Sequence, residues 1–200
     1  MGLQFSITAV GSILMQCANN ALGTVYVAAF AAGLRIKMLF MCVLESLGIA
    51  MTTFCGQNLG AGKTERVMDG IKAGMLMITV YSLAAFAVMW PLAERLAMIF
   101  VDSADVEIIA ATALYIRVSV CFFFLLGTLC LFRYSIQGLG YTNFAMWSGF
   151  MEMVARALVS TLLVAPFGFN AVCSGDAIAW IAANLFLVPA FVHVYRNVRG

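Results

Sequence analysis

The residues with reactive or ligand-binding potential are ionisable and amide side chains set inside apolar sequence. Arg35, Lys37 and Glu45 stand well inside one long apolar run. At about 100° per residue, Arg35 and Lys37 each lie within about a right angle of Glu45 seen down a helix axis, so all three can face one cavity. Arg117 and Arg133 lie in a later run, Glu152 and Arg156 in the next, and Asn184 in the last, while Gln16, Asn19 and Asn20 close the first. A charge at mid-bilayer costs at least about 2.5–3.5 kcal/mol, so several of them imply an internal aqueous path or internal ion pairs. Two readings fit Glu45: a carboxylate serving a pathway, or a structural salt bridge to Lys37 or Arg35. Two readings also fit Glu152 and Arg156, whose i,i+4 order favours an intrahelical pair of structural or coupling use. Arg133 lies near a span end, within snorkelling reach of water.

Other chemistries fit less well. Gly62-Lys63-Thr64 matches the end of a phosphate-binding loop, but the position needing the first glycine holds Gln57, and Gly56 is one residue early. Such a loop also follows a short buried strand, whereas a much longer apolar run precedes this one. The cysteines (Cys17, Cys42, Cys55, Cys121, Cys130 and Cys173) form no CxxC pair, and most sit in apolar runs as small packing residues. His193, the single histidine, has no ligand-type residues near it in sequence, so neither a metal site nor a Ser/Cys–His nucleophile is expected. No enzyme and no cofactor are expected on these grounds.

The elements that must position these side chains are membrane spans. The chain is 64% hydrophobic and 10% charged, against about 45–50% apolar and about 25% charged in soluble domains. A net charge of +2 is too small to point to nucleic acid. Apolar runs of roughly 20 residues predict an all-α integral membrane protein with helices over 3–22, 25–55, 67–90, 106–135, 145–164 and 177–195. Gly23-Thr24, Gly60-Ala61-Gly62, Trp90-Pro91, Gly138-Leu139-Gly140 and Pro166-Phe167-Gly168 punctuate them. Lys63, Arg66, Lys72, Arg196 and Arg199 gather on one face, while Glu94, Arg95, Asp102, Asp105, Glu107 and a loop residue Asp176 gather on the other. The positive-inside rule places both termini and the Gly60 loop in the cytoplasm. No signal peptide is evident, and Met1 leads straight into the first span, as if the chain were a piece of a longer one. Gly48, Thr52, Gly56 and Gly60 recur at four-residue spacing, as do Gly70 and Gly74, which reads as close helix packing in lipid.

Gly56-Gln57-Asn58-Leu59-Gly60-Ala61-Gly62, followed by Lys63, Arg66 and Gly70, resembles the Gly-Gln-Asn-x-Gly-Ala-Gly stretch of the multidrug and toxic compound extrusion (MATE) family. Arg133, Gln137-Gly138-Leu139-Gly140, Gly149, Glu152 and Arg156 agree with it, as does the opening from Met1-Gly2-Leu3-Gln4 to Gln16 and Asn20. The resemblance covers essentially the whole chain. It implies the second, C-terminal lobe of a secondary antiporter built from two six-helix lobes, with Met1 resembling an internal methionine. The first-lobe acid that couples protons in many members lies outside such a lobe. Glu45 is then the deep carboxylate on offer for the coupling ion, H⁺ or Na⁺, with Arg35, Lys37, Gln16 and Asn20 as pathway candidates. The implied partners are the cell (inner or plasma) membrane bilayer, cationic or amphiphilic drugs or toxins, and the missing first lobe. The alternative is an inactive truncated lobe, or a half-transporter needing a partner. Phe122, Phe123 and Phe124 are candidates to line a permissive cavity.

Overall fold

The computed structural model describes the backbone of residues 2–199 and the side chains of residues 6–199; Met1 and the Gln4 side chain, both part of the opening pattern, lie outside it. The described chain is helical throughout, with no strand: α1 (Gly2–Asn20), α2 (Thr24–Gly60), α3 (Thr64–Ala97), α4 (Val106–Cys121), α5 (Phe123–Gly138), α6 (Thr142–Leu158), α7 (Val164–Phe167) and α8 (Phe169–Arg199), with a π-helical turn at Val159–Leu163 joining α6 to α7. By length and apolarity, α2, α3, the continuous segment Thr142–Phe167 and α8 can each cross a bilayer. α4 and α5, bent by 52°, make a fifth span if taken together. α1, the remaining expected span, is 19 residues long and ends in Gln16, Asn19 and Asn20.

Several boundaries move. Pro91 does not stop α3, which runs on to Ala97. An internal proline removes one ladder bond at about 3 kcal/mol, but Met89, Ala93 and Ala97 continue a fully buried stripe at i,i+4 spacing and hold the helix together. The predicted helix 106–135 is broken at Phe122, where the Phe122 N–H turns to the Ser119 carbonyl in a tighter bond of 3.1 Å. The bend leaves Phe123 fully buried in the core and Phe124 exposed. The segment expected as a loop before residue 177 is helical on both sides of Gly168, which turns the chain at φ +55. Asp176 therefore lies inside α8 and is not a loop acid.

The glycine-rich motif is mostly helix. Gly56, Gln57, Asn58, Leu59 and Gly60 form the last turn of α2, and the turn proper is Ala61-Gly62-Lys63. The Lys63 N–H bonds Asn58 O at 2.8 Å and the Gly62 N–H bonds Leu59 O at 2.9 Å. This is a Schellman cap, and it needs the left-handed residue that Gly62 supplies at φ +68. α5 ends the same way: Tyr141 N–H to Ile136 O, Gly140 N–H to Gln137 O, and Gly140 at φ +92. The N–H groups that a phosphate loop would point outward are bonded to helix carbonyls, a physical reason for rejecting that motif.

α2 packs along α5, α4 and α3; α1 lies on α6 and touches α2 much less; α6 and α8 close the other side. The larger apolar cluster includes Leu44, Ile78, Ile116, Phe123, Leu129 and Leu187, and the smaller one includes Met15, Phe30, Tyr115, Val159 and Val172. Of the small-residue stripe, Gly48 receives the Tyr134 ring, while Thr52 and Gly56 meet the backbone of Gly138. The Thr52 hydroxyl also donates to Tyr134 O at 3.0 Å, crossing from α2 to α5. A Cβ on Gly138 would collide with the Thr52 carbonyl, and backbone cannot rotate aside. Gly138→Ala is expected to destabilise by about 1–3 kcal/mol through overpacking, read by denaturant unfolding in detergent. Gly60, with nothing within 4 Å of its would-be Cβ, is the matched control; equal stability of the two variants would show that α2 and α5 part freely.

Candidate functional site

A cavity of about 420 Å³ lies among α1, α2, α5, α6 and α8. Its apolar wall includes Met15, Met38, Met41 and Trp180, and its polar wall holds Lys37, Glu45, Arg133, Glu152, Arg156 and Asp176. Thioether side chains adapt to differently shaped apolar ligands, so the wall is deformable on one side and charged on the other.

Five of the six charges form an alternating chain. Arg133 from α5 pairs with Glu152 on α6 and donates through Nε to Ser148 Oγ at 3.1 Å. Glu152 Oε2 is 3.4 Å from Arg156, one turn on. Arg156 Nε donates to Asp176 Oδ1 at 3.1 Å, and Asp176 also accepts from Lys37 of α2. The buried Tyr115 hydroxyl sits in the same knot: it accepts from Lys37 Nζ at 2.8 Å and donates to Asp176 at 3.1 Å. Lys37 also lies 5.4 Å from the Tyr115 ring centre and 6.0 Å from that of Trp180. Contacts of this quality are what a charge inside a span requires. The chain ties α2, α4, α5, α6 and α8 together through polar atoms.

Glu45 is the sixth charge and differs from the rest. It is half-buried in the cavity wall, and Arg133 acts on it electrostatically. Among the described residues no hydrogen bond or ion pair engages its carboxylate. The alternative reading of Glu45, a bridge to Lys37 or Arg35, finds no such contact among the described residues: Lys37 is taken by Asp176, and exposed Arg35 lies over the Phe100 ring at 5.9 Å. The reason is angular. Arg35 and Lys37 are two residues apart, about 200° around the helix, so the cavity that takes one turns the other away.

The remaining predicted residues divide. Gln16 lines the cavity. Asn20 is exposed at the end of α1 and is not among the lining residues, while its neighbour Asn19 is buried and donates to Tyr26 O at 3.2 Å. Gly56, Gln57, Asn58, Gly60, Gly62 and Arg66 build the α2–α3 turn, and Gln137 and Gly140 the end of α5; none lines the cavity, and nor do Phe122, Phe123 and Phe124. The Glu152–Arg156 pair forms as expected, but as the middle of a longer chain. Tyr115 and Ser148 are not singled out by the sequence, and Asp176 reads there only as a loop acid. For Asp176 a signal existed: Phe169, Val172, Cys173, Asp176 and Trp180 recur at helical spacing and would have carried α8 back past residue 177.

The MatE family model matches residues 1–162. The chain belongs to the MATE family. MATE proteins are transporters rather than enzymes, and this chain is a multi-pass membrane protein with their fold. It is 30% identical over 111 residues to a FAD transporter from Shewanella oneidensis, covering 56% of this chain and 24% of that protein. An outward-facing multidrug resistance MATE transporter of the MOP superfamily superposes at a TM-score of 0.88 with 16% identity, covering 98% of this chain and 44% of that one. A MOP superfamily transporter from Pyrococcus furiosus, described as having a binding pocket of reversed polarity, superposes at 0.83 with 15% identity, covering 93% and 41%. The chain thus spans less than half the length of these relatives.

Proposed function

We propose that this chain is the second six-helix lobe of a secondary-active MATE antiporter, with both termini cytoplasmic, that exports cationic or amphiphilic organic compounds in exchange for H⁺ or Na⁺. The observation that carries the reading is that Glu45 faces the same cavity as the five-membered charge chain but makes no hydrogen bond or ion pair among the described residues. Arg133, Arg156 and Lys37 are matched by only two carboxylates in contact, Glu152 and Asp176, and Glu45 supplies the third negative charge across the cavity. With Glu45 ionised the cavity is neutral and accepts a cation; with a proton or Na⁺ on Glu45 it carries an excess positive charge and repels one. A unit charge at 4 Å is worth about 4 kcal/mol at an effective dielectric of 20, enough to make the two occupants nearly exclusive, which is what exchange demands. A volume of about 420 Å³ falls in the range of small-molecule sites. The Shewanella relative adds a flavin nucleotide to the candidate solutes.

A second reading, a half-transporter or an inactive truncated lobe, is supported by the coverage of 44% and 41% of the two solved transporter structures. Expression in a pump-deficient host separates the two. The lone chain should leave drug accumulation unchanged, and co-expression of a first six-helix lobe should lower it. Efflux by the lone chain, abolished by Glu45→Gln, would establish a half-transporter acting as a homodimer. Accumulation unchanged in every combination would leave the truncated lobe.

A further inference from the structure

Outside the charged cavity, α8 ends in a graded stripe. Leu185, Val188, Val192 and Arg196 follow one another at three- and four-residue spacing on one exposed face. Beside them Phe191, Tyr195 and Arg199 repeat at i,i+4, and the Phe191 and Tyr195 rings stack with centres 6.0 Å apart. Met68 of α3 forms the opposite wall of a groove of about 440 Å³ whose floor is Phe191 and whose end is Arg196 and Arg199. The eight helical steps from Phe191 to Arg199 rise roughly 12 Å, more than the roughly 5–8 Å of one headgroup layer, long enough to reach from acyl-chain depth to phosphate depth. The order apolar, aromatic, cationic complements the acyl chain, glycerol-ester region and anionic phosphate that a phospholipid presents along the membrane normal.

We propose that this groove is a binding site for an anionic phospholipid, with an acyl chain along Val192 and Met68 and the phosphate between Arg196 and Arg199. Arg196 makes no ion pair among the described residues. Arg199 has an exposed partner in Glu65 at 3.2 Å, with side chains 60% and 81% accessible, a contact weak enough for a phosphate to compete with. The apolar run Leu185–Val188–Val192 leads out of the groove along the exposed side of α8, which favours a lipid over a water-soluble anion. The site is independent of the transport reading.

The test uses the purified chain in detergent, with added phosphatidylglycerol or phosphatidylcholine and retained lipid read by native mass spectrometry and thermal midpoint. Wild type should prefer phosphatidylglycerol by roughly tenfold, the scale expected for two interfacial arginines. Arg196→Gln/Arg199→Gln, at exposed positions that leave folding intact, should lose that preference. Met68→Trp, which fills the groove while keeping both cations, should lose it too. Lys63→Gln/Arg66→Gln, at the neighbouring turn, should keep it. Equal retention of the two lipids, an equal loss in the Lys63/Arg66 variant, protection by inorganic phosphate alone, or loss of lipid when a first lobe is added would each overturn the proposal.

Discussion

Asp176→Asn is expected to destabilise the lobe by about 3–5 kcal/mol, the usual result of removing one partner from a buried ion pair. Asp176 is the acceptor for Lys37 and for Arg156 Nε, and for the Tyr115 hydroxyl as well. An asparagine keeps the shape but offers one acceptor oxygen and turns an amide NH₂ toward a cation. Two cations with 7% side-chain exposure are then left under-compensated inside a span. Equilibrium unfolding in detergent measures the effect, and Asp105→Asn, at an exposed residue preceding α4, should stay within about 0.5 kcal/mol of wild type. If Asp176→Asn is as stable as that control, the charge network is not what holds α2, α6 and α8 together.

Glu45→Gln should do the reverse: little change in stability and loss of coupling. No contact is broken, because its carboxylate engages no described partner, so folding should again hold within about 0.5 kcal/mol. Glu152→Gln makes the informative contrast. Glu152 is 4% exposed and lies between Arg133 and Arg156, so its loss should register first as instability. Ion-driven exchange in the two-lobe protein should fall at least tenfold in Glu45→Gln, because the cavity then carries the same charge whatever the proton or Na⁺ concentration. A variant as unstable as Glu152→Gln would instead class Glu45 with the structural pairs.

Much of this architecture can be read in the sequence, because lipid leaves a backbone few options. Apolar runs in lipid find no outside hydrogen-bond partners and must satisfy their backbone internally, as a helix does, and the Gly62 and Gly140 turns follow from their need for a left-handed residue. Glu152 with Arg156 was legible for the same local reason, a pair one turn apart. What was not legible depended on other helices. Pro91 reads as a stop until the burial of Ala93 and Ala97 is known, and Phe122-Phe123-Phe124 reads as continuous helix until the bend is seen to bury Phe123. Asp176 reads as a loop acid because Pro166 and Gly168 precede it, yet the π turn and Gly168 absorb the break and α8 begins at Phe169. Arg35 and Lys37 looked equivalent against Glu45, and only the position of the cavity chose between them.

The account stands or falls on whether Glu45 exchanges its cation for solute. The direct measurement is gradient-driven accumulation of ethidium, an organic cation, in liposomes holding the two-lobe protein, with a H⁺ or Na⁺ gradient imposed, for wild type and Glu45→Gln. Wild type should accumulate the dye against its gradient; Glu45→Gln, whose cavity keeps the excess positive charge that repels a cation, should not, while folding is retained. Accumulation by Glu45→Gln at the wild-type rate would contradict the assignment of the coupling role to Glu45.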